Sequence, residues 1–151
     1  IDAVEFLISP NPGEPLRPLA AIASGGELSR IMLALKALAL DRGGVDSMVF
    51  DEIDTGVSGR MAQVVGEKMR MIARKKQVLC VTHLPQIAAL ADAQFLVEKQ
   101  VENERTRTHV LRLDEEGRVR ELSRLVGGAA DSPSSLAHAR HMLEEAHENH
   151  K

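Results

Sequence analysis

The chain reads as an α/β unit with a mainly parallel sheet, flanking helices and a hairpin-like pair of strands near its C-terminus. Three observations carry that reading. Two short apolar runs, residues 45–50 and 77–82, are separated by a helix-periodic stretch from about Ser58 to Lys75, and a strand–helix–strand unit of this length closes a parallel pair. A second helix-periodic stretch opens on Ser24-Gly25-Gly26-Glu27. Residues 94–99 and 106–113 read as two further strands, the second alternating apolar with polar side chains.

Taken in order, residues 4–8 form a short apolar strand. Pro10, Pro12, Pro15 and Pro18 then exclude both helix and central strand, so residues 9–15 form an ordered loop. From Ser24, the residues Leu28, Ile31, Met32, Leu35 and Leu38 fall on one helical face, which ends at Asp41-Arg42-Gly43-Gly44. In the helix from Ser58 to Lys75, Met61, Val64, Val65, Met69 and Ile72 share a face, and Arg74, Lys75 and Lys76 suit its C-terminal dipole. A short helix spans residues 85–91. Residues 100–105 read as a loop, Asp114-Glu115-Glu116-Gly117 as a turn, residues 127–135 as a break, and the remainder to Lys151 as a helix. The expected division is a lobe over residues 1–128 and a helical tail over residues 129–151.

Composition narrows the function classes. Aromatic residues make up 2% of the 151, with no Trp or Tyr, which argues against stacking bases on aromatic platforms. A net charge of -3 is not that of a basic nucleic-acid surface. The lone Cys80 lies in an apolar run, reads as a small core residue, and fits a reducing cytosol. No apolar stretch is long enough to cross a bilayer. The chain opens at Ile1 and reads as a fragment.

Chemistry concentrates in four places. Ser24 and Glu27 have capping-box spacing, and Gly25 and Gly26 leave the helix N-terminus bare enough for a phosphate to approach its N–H groups; the alternative is an ordinary cap. Asp51 and Glu52 follow a strand, at the sheet edge where α/β proteins bind ligands; the first can hold Mg²⁺ through its water shell, the second can orient or deprotonate a water, and the alternative is a solvated acidic turn. Asp54-Thr55-Gly56-Val57-Ser58-Gly59 is a polar, glycine-bearing loop, and His83 ends the next strand, where a neutral ring can donate to a phosphate oxygen or a water. His138 with His141, His147 with His150, and the cluster Arg70, Arg74, Lys75, Lys76 read as solvated helix faces.

The order of these features resembles that of an ABC ATPase head after its coupling region. With Glu27 in place of the Gln usual in transporters, the chain resembles SMC-like DNA repair ATPases. The runs Ala23-Ser24-Gly25-Gly26-Glu27-Leu28-Ser29-Arg30, Phe50-Asp51-Glu52-Ile53-Asp54-Thr55-Gly56 and Val81-Thr82-His83-Leu84-Pro85-Gln86 resemble those of the RecN family, as do residues 11–16 and 122–128. The resemblance implies the C-terminal lobe of an ABC-type P-loop NTPase head that uses ATP and Mg²⁺ in double-strand-break repair and recombination, located in the cytoplasm near the nucleoid. Ser24, Gly25, Gly26 and Glu27 would be the signature motif acting in trans, Asp51 the Mg²⁺ carboxylate, Glu52 and His83 the catalytic residues, and Asp54, Thr55 and Gly56 the D-loop. The implied partners are an N-terminal Walker A lobe of the same protein, a second head in an ATP-sandwiched homodimer, and DNA through the full-length protein. No Gly-Lys pair occurs, so a phosphate-wrapping loop is missing, and this segment alone is expected to be inactive. The alternatives are a head of another SMC-like or RecF-like ATPase, or a non-catalytic nucleotide-dependent scaffold.

Overall fold

A computed structural model describes residues 3–9, 12–22, 24–40, 45–102, 105–127 and 132–148. The first strand, β1 (Leu7–Ile8), pairs antiparallel with β2 (Arg17–Pro18). The ladder is shorter than the apolar run at residues 4–8 suggests because the chain turns into a helix directly after Pro18, with Leu19 N donating to Phe6 O at 2.8 Å. A single helical turn, α1 (Leu19–Ile22), follows.

The next helix, α2, spans Gly25–Leu38, and its start is a complete capping box: Ser24 Oγ accepts from the Glu27 N–H, and the Glu27 carboxylate accepts from the Ser24 N–H. Its expected glycine stop, Asp41 to Gly44, lies outside the described residues; the helix ends at Ala39, whose N–H donates to Leu35 O. The face that α2 turns inward is not the apolar stripe. Gly26 and Leu33 are buried, whereas Met32, Leu35 and Leu38 are exposed, Leu38 to 83%. The stripe has the predicted apolar character but its Met32, Leu35 and Leu38 lack a cover among the described residues.

Strand β3 (Ser47–Phe50), helix α3 (Gly59–Ala73) and strand β4 (Gln77–Cys80) form the expected crossover, with β3 and β4 parallel and Phe50 opposite Cys80. Met48, Phe50, Val78 and Cys80 pack into a core with Leu33, Ile53, Ala62, Val65, Met69 and Ile72. On α3 the buried face is Ala62, Val65, Gly66, Met69 and Ile72; Met61 and Val64, expected inside, are exposed. The opposite face of the pair is bare, with Val49 71% and Val81 64% exposed. Parallel strands are normally covered on both faces.

A turn of helix, α4 (Pro85–Ala88), starts with proline where a missing N–H costs nothing. Strands β5 (Phe95–Glu102) and β6 (Arg105–Arg112) then form one antiparallel ladder whose pairing runs from Phe95↔Arg112 to Glu102↔Arg105. The loop expected over residues 100–105 is thus mostly ladder: its polar residues extend a hairpin exposed enough to carry them. The described strands form three two-stranded sheets, of which β3–β4 is the parallel one.

The acidic turn at Asp114 is the start of a helix, α5 (Glu115–Leu125), with the Asp114 side chain accepting from the Gly117 N–H at 2.8 Å. The final helix, α6 (Pro133–Glu148), begins inside the expected break, since Pro133 is tolerated in a first turn. It shares a second core with α5, made of Ala88, Ala89, Val119, Leu122, Ala139 and Leu143. Arg70, expected on a solvated face, donates to Ala146 O at 2.8 Å and ties α6 to α3. Among the described residues no helix is long and apolar enough to cross a membrane.

Candidate functional site

Helix α2 leads away from its capped start, and β3 returns beside it. The N-terminus of α2 and the C-terminus of β3 therefore meet at one end of the molecule. Parallel pairing brings the end of β4 there too, with Val81 N donating to Phe50 O at 3.0 Å. Asp51 and Glu52 leave β3 exposed to solvent, as do Ser24, Gly25 and Glu27 on α2 and Thr55 and Gly56 in the loop before α3.

Two residues of the signature run that have no role assigned from the sequence lock this end together. Ser29 Oγ donates to Asp51 O at 2.9 Å. Arg30 donates through Nη1 to Thr55 O at 2.8 Å and Ile53 O at 3.2 Å, so a side chain of α2 grips the loop that follows the acids. Arg30 lies one turn beyond Gly26 and one before Leu33. Its signal in the sequence is this place between Gly26 and Leu33 on the inward face of α2, which the stronger apolar stripe on the other side masks.

The two glycines of α2 differ. A side chain at Gly25 would run into the Glu52 carboxylate, the flexible end of a side chain. At Gly26 a Cβ would lie 2.9 Å from Glu52 O and 3.0 Å from Thr55 O, both backbone. Gly26 is therefore required by packing within its own chain, whereas Gly25 keeps an opening that only Glu52 overhangs. A Gly26→Asp change would disrupt this packing before testing any contact with a phosphate.

Glu27 is committed to the cap: its Oε2 accepts from Ser24 N at 2.8 Å and Ser24 Oγ at 3.1 Å, and these bonds hold its carboxyl below the usual range. The N–H groups of Gly25 and Gly26, in the first turn, have no intrahelical acceptor. Asp51 Oδ1 accepts from Glu52 N at 2.9 Å. Glu52 itself has φ of 56°, left-handed backbone unusual for a residue with a side chain.

Asp54 departs most from expectation. Read as part of a polar loop, it is instead 5% exposed; its Oδ2 accepts from Thr82 Oγ1 at 2.7 Å and His83 N at 2.9 Å, and lies 3.0 Å from His83 Nδ1. Burial alone would raise its pKa, but the bonds from Thr82 and His83 prevail and lower it. Cys80 packs against the core, and burial, with the charges of Asp54 and Asp51, pushes its thiol up to about 12, so it is no nucleophile at neutral pH.

No protein-family model matches the chain. It is 49% identical over 146 residues to the DNA repair protein RecN of Halalkalibacterium halodurans, covering 97% of this chain and 26% of that protein. It is 50% identical over 145 residues to RecN of Streptomyces coelicolor, covering 96% and 25%, and 49% identical over 142 residues to RecN of Vibrio cholerae, covering 94% and 26%. The chain thus spans about a quarter of the length of these curated relatives. Its fold is similar to a solved structure from work on ATP-driven dimerization and DNA stimulated activation of SMC ATPases, with a TM-score of 0.52 at 17% identity, over 80% of this chain and 79% of that one. The α/β unit accordingly has the fold of a lobe of an SMC ATPase head.

Proposed function

The chain belongs to the RecN family, and on that premise we propose that it supplies the signature and Walker B part of an ATP-hydrolysing head acting in DNA double-strand-break repair and recombination. The observation that carries this is the convergence of the α2 start, the β3 carboxylates and His83 at one end, braced by Ser29, Arg30 and Asp54.

The residues suit one half of an ATP site. Asp51 and Glu52 are exposed oxygen donors of the kind Mg²⁺ prefers. The start of α2 offers N–H groups and a dipole to an anion, with a gap at Gly25 that a Cβ would fill. Bound Mg²⁺ would neutralise phosphate charge as it develops during transfer. Asp51 would hold that ion through water. Glu52 would orient the attacking water and take its proton, and its backbone turns the carboxylate toward the signature helix. Ser24, Gly25 and Gly26 would face the nucleotide held by a second head, with Glu27 fixing their conformation through the cap. Asp54, Thr55 and Gly56 form the connection between the two functions. A chain without a phosphate-wrapping loop needs a partner lobe to hold the nucleotide, so this segment alone is not expected to turn over ATP.

The bare apolar surfaces support such partners. The α2 stripe of Leu28 and Met32 forms a shallow groove with Val45 and Val49, continuous with the uncovered face of β3. An N-terminal lobe of the same protein would cover it, and ATP-driven pairing of two heads, as described for SMC ATPases, would place the α2 start across from the second nucleotide. DNA would engage the full-length protein.

Glu52→Gln in the full-length protein tests this. The amide keeps the shape but accepts no proton, so turnover should fall on the order of 100-fold or more while ATP affinity holds and nucleotide-bound dimers accumulate. Unchanged turnover, or affinity lost in step with turnover, would overturn the assignment.

A further inference from the structure

The buried carboxylate of Asp54 makes contacts that its place in a polar loop does not suggest. Both donors on its Oδ2 come from Thr82 and His83, the hydroxyl of the first and the backbone N–H of the second. The His83 ring lies against the same oxygen, with Nδ1 3.0 Å from it. The His83 side chain is nonetheless 72% exposed. The ring is therefore held by one nitrogen at its inner edge and presents the other outward. A second clamp acts on the same turn, where Leu84 N donates to Thr82 Oγ1 at 3.1 Å.

We propose that Asp54 is a positioning residue for His83, fixing the neutral ring as its Nδ1–H tautomer and turning Nε2 to the open side of the site. The argument is one of donors and acceptors. An ionised carboxylate only accepts, so the ring nitrogen against it carries the proton. The state of one imidazole nitrogen is set by the hydrogen bond of the other. With its proton on the Nδ1 that faces Asp54, the neutral ring holds a lone pair at Nε2. It can accept from a water or take up a proton, but it donates to a phosphate oxygen only once the ring is doubly protonated. This narrows the earlier expectation that a neutral His83 donates. The catalytic part of the proposal rests on the functional reading above; the tautomer part does not.

The two parts are tested separately in the full-length protein. Selective ¹⁵N-histidine labelling distinguishes the tautomers, with His83→Gln assigning the resonance. The neutral wild-type ring should be protonated at Nδ1, whereas protonation at Nε2 would overturn the proposal, and this needs no change at Asp54. For turnover, Asp54→Asn keeps the size and an acceptor but removes the charge. It should lower kcat roughly 10–100-fold, as loss of an orienting partner does, with KM for ATP little changed. Combined with His83→Ala it should add nothing beyond the worse single change. Penalties that multiply would mean Asp54 acts elsewhere and would overturn the catalytic part. Should His83→Ala leave turnover intact, the functional assignment of His83 fails, and the tautomer alone decides whether Asp54 positions the ring.

Discussion

Helices α2 and α3 are both amphipathic and of similar length, yet they use their apolar faces differently. On α3 much of the stripe is inside: Val65, Met69 and Ile72 are buried in the core that seats β3 and β4. On α2 the strongest stripe points outward, and the helix is held by Gly26, Arg30 and Leu33 on another face. A face buried on folding contributes stability to the segment itself, whereas an equally apolar face left bare awaits a cover. Periodicity measures apolar character and cannot distinguish the two. The relatives are about four times as long as this chain, and the outward stripe is where the remainder of such a protein would rest.

The largest expected effect lies on α3. Ile72 is fully buried, so Ile72→Ala in this chain should cost about 2–5 kcal/mol in denaturant unfolding; a cost below about 1 kcal/mol would show that the α3 core is not formed as described. Next comes the inward face of α2. Gly26→Ala presses a methyl onto two backbone carbonyls and should cost about 1–3 kcal/mol, whereas Gly25→Ala should cost less because the Glu52 carboxylate can swing away. Equal costs would break that distinction.

The acid limb of the stability curve carries a smaller effect. Asp54 has a folded pKa below its ordinary value, so its contribution is complete above the unfolded pKa and is lost as pH falls through the folded one. Asp54→Asn should flatten stability against pH in that window, and a curve that keeps the wild-type slope would contradict it. Smallest of all is Leu38→Ser on the bare stripe, expected within about 0.5 kcal/mol in this chain. The same substitution should be more destabilising in the full-length protein if that stripe is covered there.

Much of the local structure of the candidate site was legible because its signals are local. The capping box of Ser24 and Glu27 depends on spacing within one turn, and the β3–α3–β4 crossover on two apolar runs at a fixed separation. What escaped depends on contacts across the fold. Arg30 looks like any solvent-facing basic residue until the backbone of Ile53 and Thr55 is brought beneath it. Asp54 reads as loop polarity because its partners lie almost thirty residues away. The start of α5 was hidden because Asp114 and Gly117 are as typical of a turn as of a capped first turn. The hairpin beyond Lys99 was hidden because strands polar on both faces lack the alternation that marks them.

Glu52 carries a further consequence. A left-handed conformation at a residue with a Cβ costs about 1–3 kcal/mol, and glycine would adopt it at ease. Selection for thermal robustness alone, blind to turnover, would thus drift toward glycine or asparagine at this position and discard the carboxylate. If Glu52 acts as proposed, variant libraries of this family screened only by melting temperature should enrich inactive proteins at this residue. With the role proposed for Glu52, position 52 would be where stability and chemistry demand different amino acids.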